Sequence, residues 1–258
     1  MQNGHRCSNR FNGLPRVEKP LKRLELWRAL ITRLKPGVNE INLIAAIFLV
    51  LNLTLSRTNA AETNSAASLT DGWKQIPFTF QIQHPYDLKT SDRYDFDATN
   101  NTHHFWVYFT DKPHAPPPNK TTARTEMRLQ TYSTNEYMFD GDVYIYPGTF
   151  ACIGQVFDAK HEPMQMILAH PDGKVTMRGT DLVMTNAIGR WWNLQMSNDT
   201  KDGGKVKIYA DNVLVGTYDS RGPRDYYFKC GVYARENSDR SEVRYRNIKL
   251  WVKPESSN

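Results

Sequence analysis

The sequence predicts an all-β fold, a β-jelly roll sandwich with one sheet face curved into a concave ligand groove. Three observations predict it. Strand-like runs rich in β-branched and aromatic residues recur at short intervals from Trp73 onward. Polar, turn-forming stretches separate them. No long stretch beyond the first 61 residues has helical periodicity. Many short strands with polar turns and no helices imply two packed sheets or a closed barrel.

Each run is readable in turn. Phe78-Thr79-Phe80-Gln81-Ile82-Gln83 alternates apolar and polar side chains, the period of a half-buried strand. His104-Phe105-Trp106-Val107-Tyr108-Phe109 is strongly β-prone. A proline-rich loop from Lys112 to Asn119 follows, and then Arg124-Thr125-Glu126-Met127-Arg128. Glu136 to Tyr146 reads as two strand-like pieces around Asp140-Gly141-Asp142. Cys152 to Phe157, Met164 to Ala169 and Trp191 to Met196 are further strands. Lys205 to Tyr209 and Val213 to Val215, joined through Asp211-Asn212, predict a hairpin with a tight polar turn. Tyr226 to Tyr233 and Val243 to Val252 close the series.

The expected organisation is a leader over residues 1–61, a polar linker over 62–70 and one jelly-roll domain over 71–254. The net charge of +6 is unevenly spread. Residues 1–61 hold ten of the chain's 33 Lys+Arg and three of its 27 Asp+Glu, leaving a nearly neutral body of 23 against 24. A neutral body gives no electrostatic footprint for nucleic acid. In the leader, a long basic region is followed by the apolar run Leu43 to Leu51 and small residues at Ala60 and Ala61. That order is the pattern of an export signal, and the run is short for a membrane span. The leader is expected to be cleaved, leaving no stable membrane insertion, or else to remain as a signal anchor. Beyond the leader, three N-glycosylation sequons, at Asn100, Asn119 and Asn198, lie in polar stretches expected to be turns. Leader and sequons together predict a secretory route, to the cell wall or outside the cell, or to a vacuole. Cys7 lies in the leader; Cys152 and Cys230 can form one disulfide or stay two buried thiols. No zinc spacing, phosphate loop or Ser-His-Asp signature is present, so no metal or cofactor is expected.

The candidate site begins with the pentapeptide. On a strand, Arg124, Glu126 and Arg128 point to one face. Two guanidiniums around a carboxylate form either a surface ion ladder or a floor that holds an acidic ligand. Tyr227-Phe228-Lys229-Cys230-Gly231-Val232-Tyr233 adds a second such strand, with Tyr227, Lys229, Gly231 and Tyr233 on one face and Phe228, Cys230 and Val232 toward the core. A glycine on the polar face lets a ligand approach the backbone. In Cys152-Ile153-Gly154-Gln155-Val156-Phe157, alternation sets Gln155 and Phe157 on one face and Cys152, Gly154 and Val156 on the other, so both cysteines are expected to face the core. His103 and His104 adjoin, so only one can face any site. His161 follows Gln155 by six residues, as a substitute base or a solvated loop residue. His84, His114 and His170 are scattered. Trp191 and Trp192 point to opposite faces.

Arg124-Thr125-Glu126-Met127-Arg128, Gln155-Val156-Phe157 and Tyr227 to Tyr233, in that order, resemble the three motif strands of the alginate-lyase-2 family of polysaccharide lyases (family 7-like). The match is closer to the plant citrate-binding-protein branch and runs over roughly residues 71–252. The resemblance implies a jelly roll with the three strands side by side. It implies that Arg124 and Gln155 hold a uronate carboxylate, that Tyr233 gives a proton to the leaving oxygen, and that Lys229 lies near the substrate. Many lyases of the family have histidine where this chain has Phe157, which cannot take a proton. The citrate-binding branch shares Gln-Val-Phe, and the resemblance to it implies binding of a small polycarboxylate. The expected function is thus a secreted or vacuolar protein whose groove binds citrate or acidic glycans through Arg124, Glu126, Arg128, Gln155, Lys229 and Tyr227. The alternative is a lyase that cleaves alginate, glucuronan or a related polyuronate, with Tyr233 as both base and acid beside Arg124 and Gln155.

Overall fold

The computed structural model describes residues 69–254 apart from 159, 161, 236 and 237. The leader, Cys7, His161 and nearly all of the 62–70 linker lie outside the described residues.

Fifteen strands are described: β1 (Lys74–Ile76), β2 (Phe80–Gln83), β3 (Tyr94–Asp97), β4 (Thr102–Tyr108), β5 (Arg124–Leu129), β6 (Glu136–Ile145), β7 (Ala151–Asp158), β8 (Pro163–Ala169), β9 (Val175–Met177), β10 (Asp181–Met184), β11 (Trp191–Asp199), β12 (Lys205–Ala210), β13 (Val213–Asp219), β14 (Tyr226–Ala234) and β15 (Arg240–Lys253). They form two antiparallel sheets. One runs β13-β12-β11-β6-β15-β4-β3, with β1 also paired to β15; the other runs β10-β9-β8-β7-β14-β5-β2. Their facing sides enclose the core, in which Met127, Phe228 and Val232 from the second sheet meet Phe139, Leu194 and Tyr245 from the first. This is the expected all-β jelly-roll sandwich.

The expected strands recur with shifted ends. The first is shorter, starting at Phe80. The hairpin turn is as expected: Asp211 and Asn212 both take positive φ, 48° and 64°, which these residue types tolerate. Glu136 to Tyr146 is a correction, because β6 runs unbroken through Asp140-Gly141-Asp142. Both aspartates point outward and find donors on neighbouring strands. Asn193 Nδ2 donates to Asp140 (2.9 Å) and Asp142 (3.2 Å), and Trp251 Nε1 to Asp140 (3.1 Å). Acidic side chains satisfied in this way do not need a turn. Strands β1, β3, β9 and β10, of three or four residues each, are too short for their alternation to stand out in the sequence.

Asn198 is a second correction. It lies in β11 rather than a turn and is 0% exposed. Its amide donates to the Tyr132 hydroxyl (3.2 Å) and accepts from Ser220 (2.9 Å). In the folded chain this sequon is closed to modification, whereas Asn100 is exposed.

Candidate functional site

The second sheet carries the three candidate strands side by side, β7-β14-β5, with β2 beyond β5. In antiparallel pairs, directly opposed residues share a face. The register therefore builds the site in rows. Gln81, Arg128, Lys229 and Gln155 lie across β2, β5, β14 and β7. Gln83, Glu126 and Gly231 form the next row, then Arg124 and Tyr233. Tyr227 opposes Phe157 at the other end. All of the residues expected at the site thus lie on one face.

Their depths differ. A pocket of about 450 Å³ is walled by Arg124, Arg128, Lys229, Phe157 and Tyr227, with Gln81 and Gln83 from β2. Glu126 (1% exposed) and Gln155 (0%) lie beneath this floor. Glu126 is the hub. It accepts a very short hydrogen bond from Gln155 Nε2 and pairs with Lys229 Nζ at 3.4 Å and Arg124 Nη1 at 3.5 Å. To reach Gln155 it crosses β14 at Gly231, where no side chain intervenes. Arg128, by contrast, lies over the Tyr227 ring at 4.1 Å and donates to Thr131 at 3.4 Å. Arg124 lies over the Tyr233 ring at 4.1 Å, so the phenol that the family resemblance singles out is packed flat against the guanidinium.

Phe157 has a specific neighbour. Lys229 Nζ lies 4.7 Å from its ring centroid, and the ring stacks on Tyr227 with centroids 5.4 Å apart. An aromatic face stabilises a nearly buried ammonium without removing its charge. Burial pushes the Lys229 pKa below its ordinary value; Glu126 opposes this shift, and Arg124 adds to it. Burial likewise pushes Tyr227 up, with Arg128 working against it. Three cations against one carboxylate leave the floor with two excess positive charges. Arg124 Nε and Gln155 Oε1 are buried and have no hydrogen-bond partner among the described residues. Such groups concentrate at functional sites.

Two sequence expectations change here. Cys152 faces the groove, not the core. Ile153 and Gly154 form a bulge against β8, where Cys152 opposes Leu168 and Gly154 opposes Ile167. The extra residue turns Cys152 onto the face of Tyr233, its opposite on β14, while Ala151, Ile153 and Cys230 join the core. The two cysteines are therefore on opposite faces of the sheet and are free thiols. Gly231 is the other. Its φ of 134° and its neighbours are those of close backbone packing: an added Cβ would overlap Thr125 O and meet Glu126 Cα at 2.8 Å. The space above it is used by Glu126, not by an approach to the backbone from outside.

Sequence reasoning also misses residues. His114, one of the scattered histidines, lines the pocket together with Asn119 and Thr121. The proline-rich loop brings them there, anchored where Arg93 grips Asp111 through two 2.7 Å hydrogen bonds and where Tyr86 N donates to Pro113 O. His103 and His104 face away from the groove. His103 packs among Tyr94, Phe96 and Phe105, and His104 pairs with Glu242 at 2.6 Å on the outer face of the first sheet. Trp192 is in the core and Trp191 on that same outer face.

The family model described as alginate lyase matches residues 78–251. The chain belongs to the alginate-lyase-2 family. A citrate-binding protein of Hevea brasiliensis is 31% identical over 194 residues, covering 72% of this chain and 80% of that protein. Among solved structures, the family 7 alginate lyase AlgAT5 superposes with a TM-score of 0.54 at 15% identity, over 66% of this chain and 93% of that one. A Corynebacterium sp. alginate lyase gives 0.54 at 13%, over 66% and 92%. The family 7 lyase A1-II′, solved as a doubly substituted variant in complex with the substrate GGMG, gives 0.53 at 13%, over 69% and 94%. At these identities the structural likeness establishes the fold, and the three strands whose sequences carry the resemblance, β5, β7 and β14, line the pocket.

Proposed function

We propose that the pocket binds a carboxylate-bearing ligand, citrate or a uronic-acid-containing glycan, and holds it without turnover. One observation carries this reading: Arg124, Arg128 and Lys229 converge on one floor over a single carboxylate, and a Phe157 ring that supports Lys229 occupies the position where a base is expected. Guanidinium forks and an ammonium in a poorly hydrated floor are strong partners for carboxylate oxygens. Phe157 serves binding, because it holds the ammonium, and cannot take a proton. The Hevea relative's description as citrate-binding supports the same reading. Arg124, Arg128, Lys229 and Tyr227 are proposed as direct contacts, with Glu126 and Gln155 setting their positions from below. We also propose a secretory destination, cell wall or vacuole, on the leader pattern of the sequence.

A second reading, polyuronate lyase, is favoured by His114. An imidazole at the pocket wall and the Tyr233 phenol against Arg124 supply two groups able to move protons. In that reaction the proton on the carbon next to the uronate carboxylate is removed, and the C–H bonding electrons delocalise into the carboxylate as an enolate-like dianion. Those electrons form the new double bond as the bond from the neighbouring carbon to the glycosidic oxygen breaks, and that oxygen takes a proton. Arg124 would stabilise the intermediate dianion.

The test measures citrate and oligouronate binding by calorimetry and follows the near-ultraviolet absorbance of unsaturated uronates during incubation with polyuronates. Binding that is lost in Arg124→Ala, with flat absorbance on every polymer, is the expected result. Absorbance that grows steadily and is abolished by Tyr233→Phe or His114→Ala would overturn binding without turnover.

A further inference from the structure

We propose that the outer face of the first sheet holds a separate binding site for a neutral, hydroxyl-rich glycan chain. The site is a pocket of about 560 Å³, within the range of small-ligand clefts. It is walled by Asp95 and Asp97 of β3, His104 of β4, Arg244 and Arg246 of β15, and Trp191 of β11. The register explains how four strands and an edge strand converge: Trp191, Tyr144, Arg244, His104 and Asp95 are opposed in a single row across β11, β6, β15, β4 and β3. Directly opposed side chains share a face, so this row is one continuous outward surface.

Its chemistry differs from that of the groove. Two carboxylates stand against two guanidiniums, so no excess positive charge draws in a polyanion. Exposed carboxylates accept hydroxyl protons, and guanidiniums donate to hydroxyl and ring oxygens. Arg246 lies over the Trp191 ring at 4.2 Å and Arg244 over the Tyr146 ring at 5.4 Å. Tyr144 meets both Trp191 (5.6 Å between centroids) and Tyr146 (5.1 Å), and His104 lies 6.0 Å from Tyr146. The outcome is a partly exposed strip of rings tilted against one another, with guanidiniums over Trp191 and Tyr146, beside alternating donors and acceptors. A sugar ring fits the pocket with C–H groups against Trp191 and its hydroxyls on the charged rim. Arg246 is tied to Asp142 at 3.3 Å and His104 and Arg240 to Glu242, whereas Arg244 has no ion-pair partner among the described residues. Arg244 is therefore the donor best placed to engage a ligand. A nucleic acid or a polyuronate would meet Asp95 and Asp97 at the rim.

The experiment is native electrophoresis of the protein through gels containing hydroxyethylcellulose, xyloglucan or galactomannan, with polygalacturonate as the acidic comparison. The Asn100 sequon lies at the same rim, so runs are made before and after removal of N-glycans. The expected result is retardation of the glycan-free protein in at least one neutral gel, unchanged in Arg124→Ala and weakened about tenfold in Trp191→Ala and in Arg244→Ala. Arg244 is exposed, so its variant carries the test if Trp191→Ala misfolds. No retardation in any neutral gel, retardation in the acidic gel alone, or full retardation of the Arg244→Ala protein would each overturn the proposal. Since Arg124→Ala removes the groove's ligand and not this one, failure here is distinguishable from failure of the carboxylate reading.

Discussion

The groove floor and the outer strip use the same residue types, arginines, carboxylates and aromatic rings, on the two sheets of one sandwich. They differ in access to water. In the groove, Glu126 and Lys229 side chains are 2% and 3% exposed; on the outer face, Asp142 and Arg246 are 24% and 40% exposed. Exposed pairs are screened, and each contributes little. Buried ones have lost their hydration and depend on one another. The same alphabet therefore makes a mutually dependent hub on one side and a set of replaceable contacts on the other. The groove is moreover unbalanced in charge, and an anionic ligand corrects that imbalance. The outer face is already balanced.

Removing one acid from each face is the sharpest way to break this comparison. Glu126→Ala leaves Arg124 and Lys229 without their shared anion and Gln155 Nε2 without its acceptor. The expected cost is roughly 3–5 kcal/mol of folding stability, the range for breaking a buried charge network. Asp142→Ala removes an acceptor from Arg246 and Asn247 at the surface and is expected to cost about 1 kcal/mol or less. Urea unfolding of the two variants measures the difference. Equal losses would mean that water reaches both faces alike.

Backbone packing separates the sheets in the same order. An alanine at Gly231 has its Cβ overlapping Thr125 O and 2.8 Å from Glu126 Cα, at a φ of 134°. Backbone cannot yield as a side chain does, so Gly231→Ala is expected to cost about 3 kcal/mol. At Gly141 of β6 the nearest atom is the Phe139 ring at 3.1 Å, with no positive φ. Gly141→Ala should cost about 1 kcal/mol. Thermal unfolding of both variants tests whether β14 is held against β5 as tightly as the geometry implies.

Alternation makes most of this legible in the sequence. It puts Arg124, Glu126 and Arg128 on one face and Phe228, Cys230 and Val232 on the other, as found. It fails at Cys152, because a bulge adds a residue and reverses the face of everything before it, and no local feature of Cys-Ile-Gly-Gln announces that bulge. It also fails for depth. Side-chain period gives a face and not a level: it cannot show that Gln155, a ligand contact on the family resemblance, is 0% exposed with its amide on Glu126. His114 is illegible for a third reason: a loop residue reaches the pocket through tertiary return of the chain, which leaves no periodic trace. At Asp140-Gly141-Asp142, turn-like composition is overridden by partners on β11 and β15.

The smallest predicted effect is a dependence on pH that the groove has and the outer face lacks. The folded-state pKa of Lys229 lies below its ordinary value of 10.5, chiefly because burial penalises its charge. Below that folded value, Lys229 is charged in both the folded and unfolded chain, and the cost of burying the ammonium is fully present. As pH rises from there toward 10.5, the folded chain releases the proton while the unfolded chain keeps it, so this residue's penalty on stability declines. Ligand binding runs the other way. A bound carboxylate favours the ammonium, so affinity falls over the same window as the free protein loses that charge. Lys229→Met keeps the bulk and removes the titration. Its stability should lack the wild-type gain on the alkaline side, and its weakened carboxylate affinity should be flat across that window. The outer site has no lysine in its wall among the described residues, so retardation by neutral glycan should not follow the Lys229 window. Citrate affinity measured from about pH 7 up to the ordinary lysine pKa of 10.5 on wild type and Lys229→Met decides the matter. Parallel curves would show that Lys229 does not contact the bound anion.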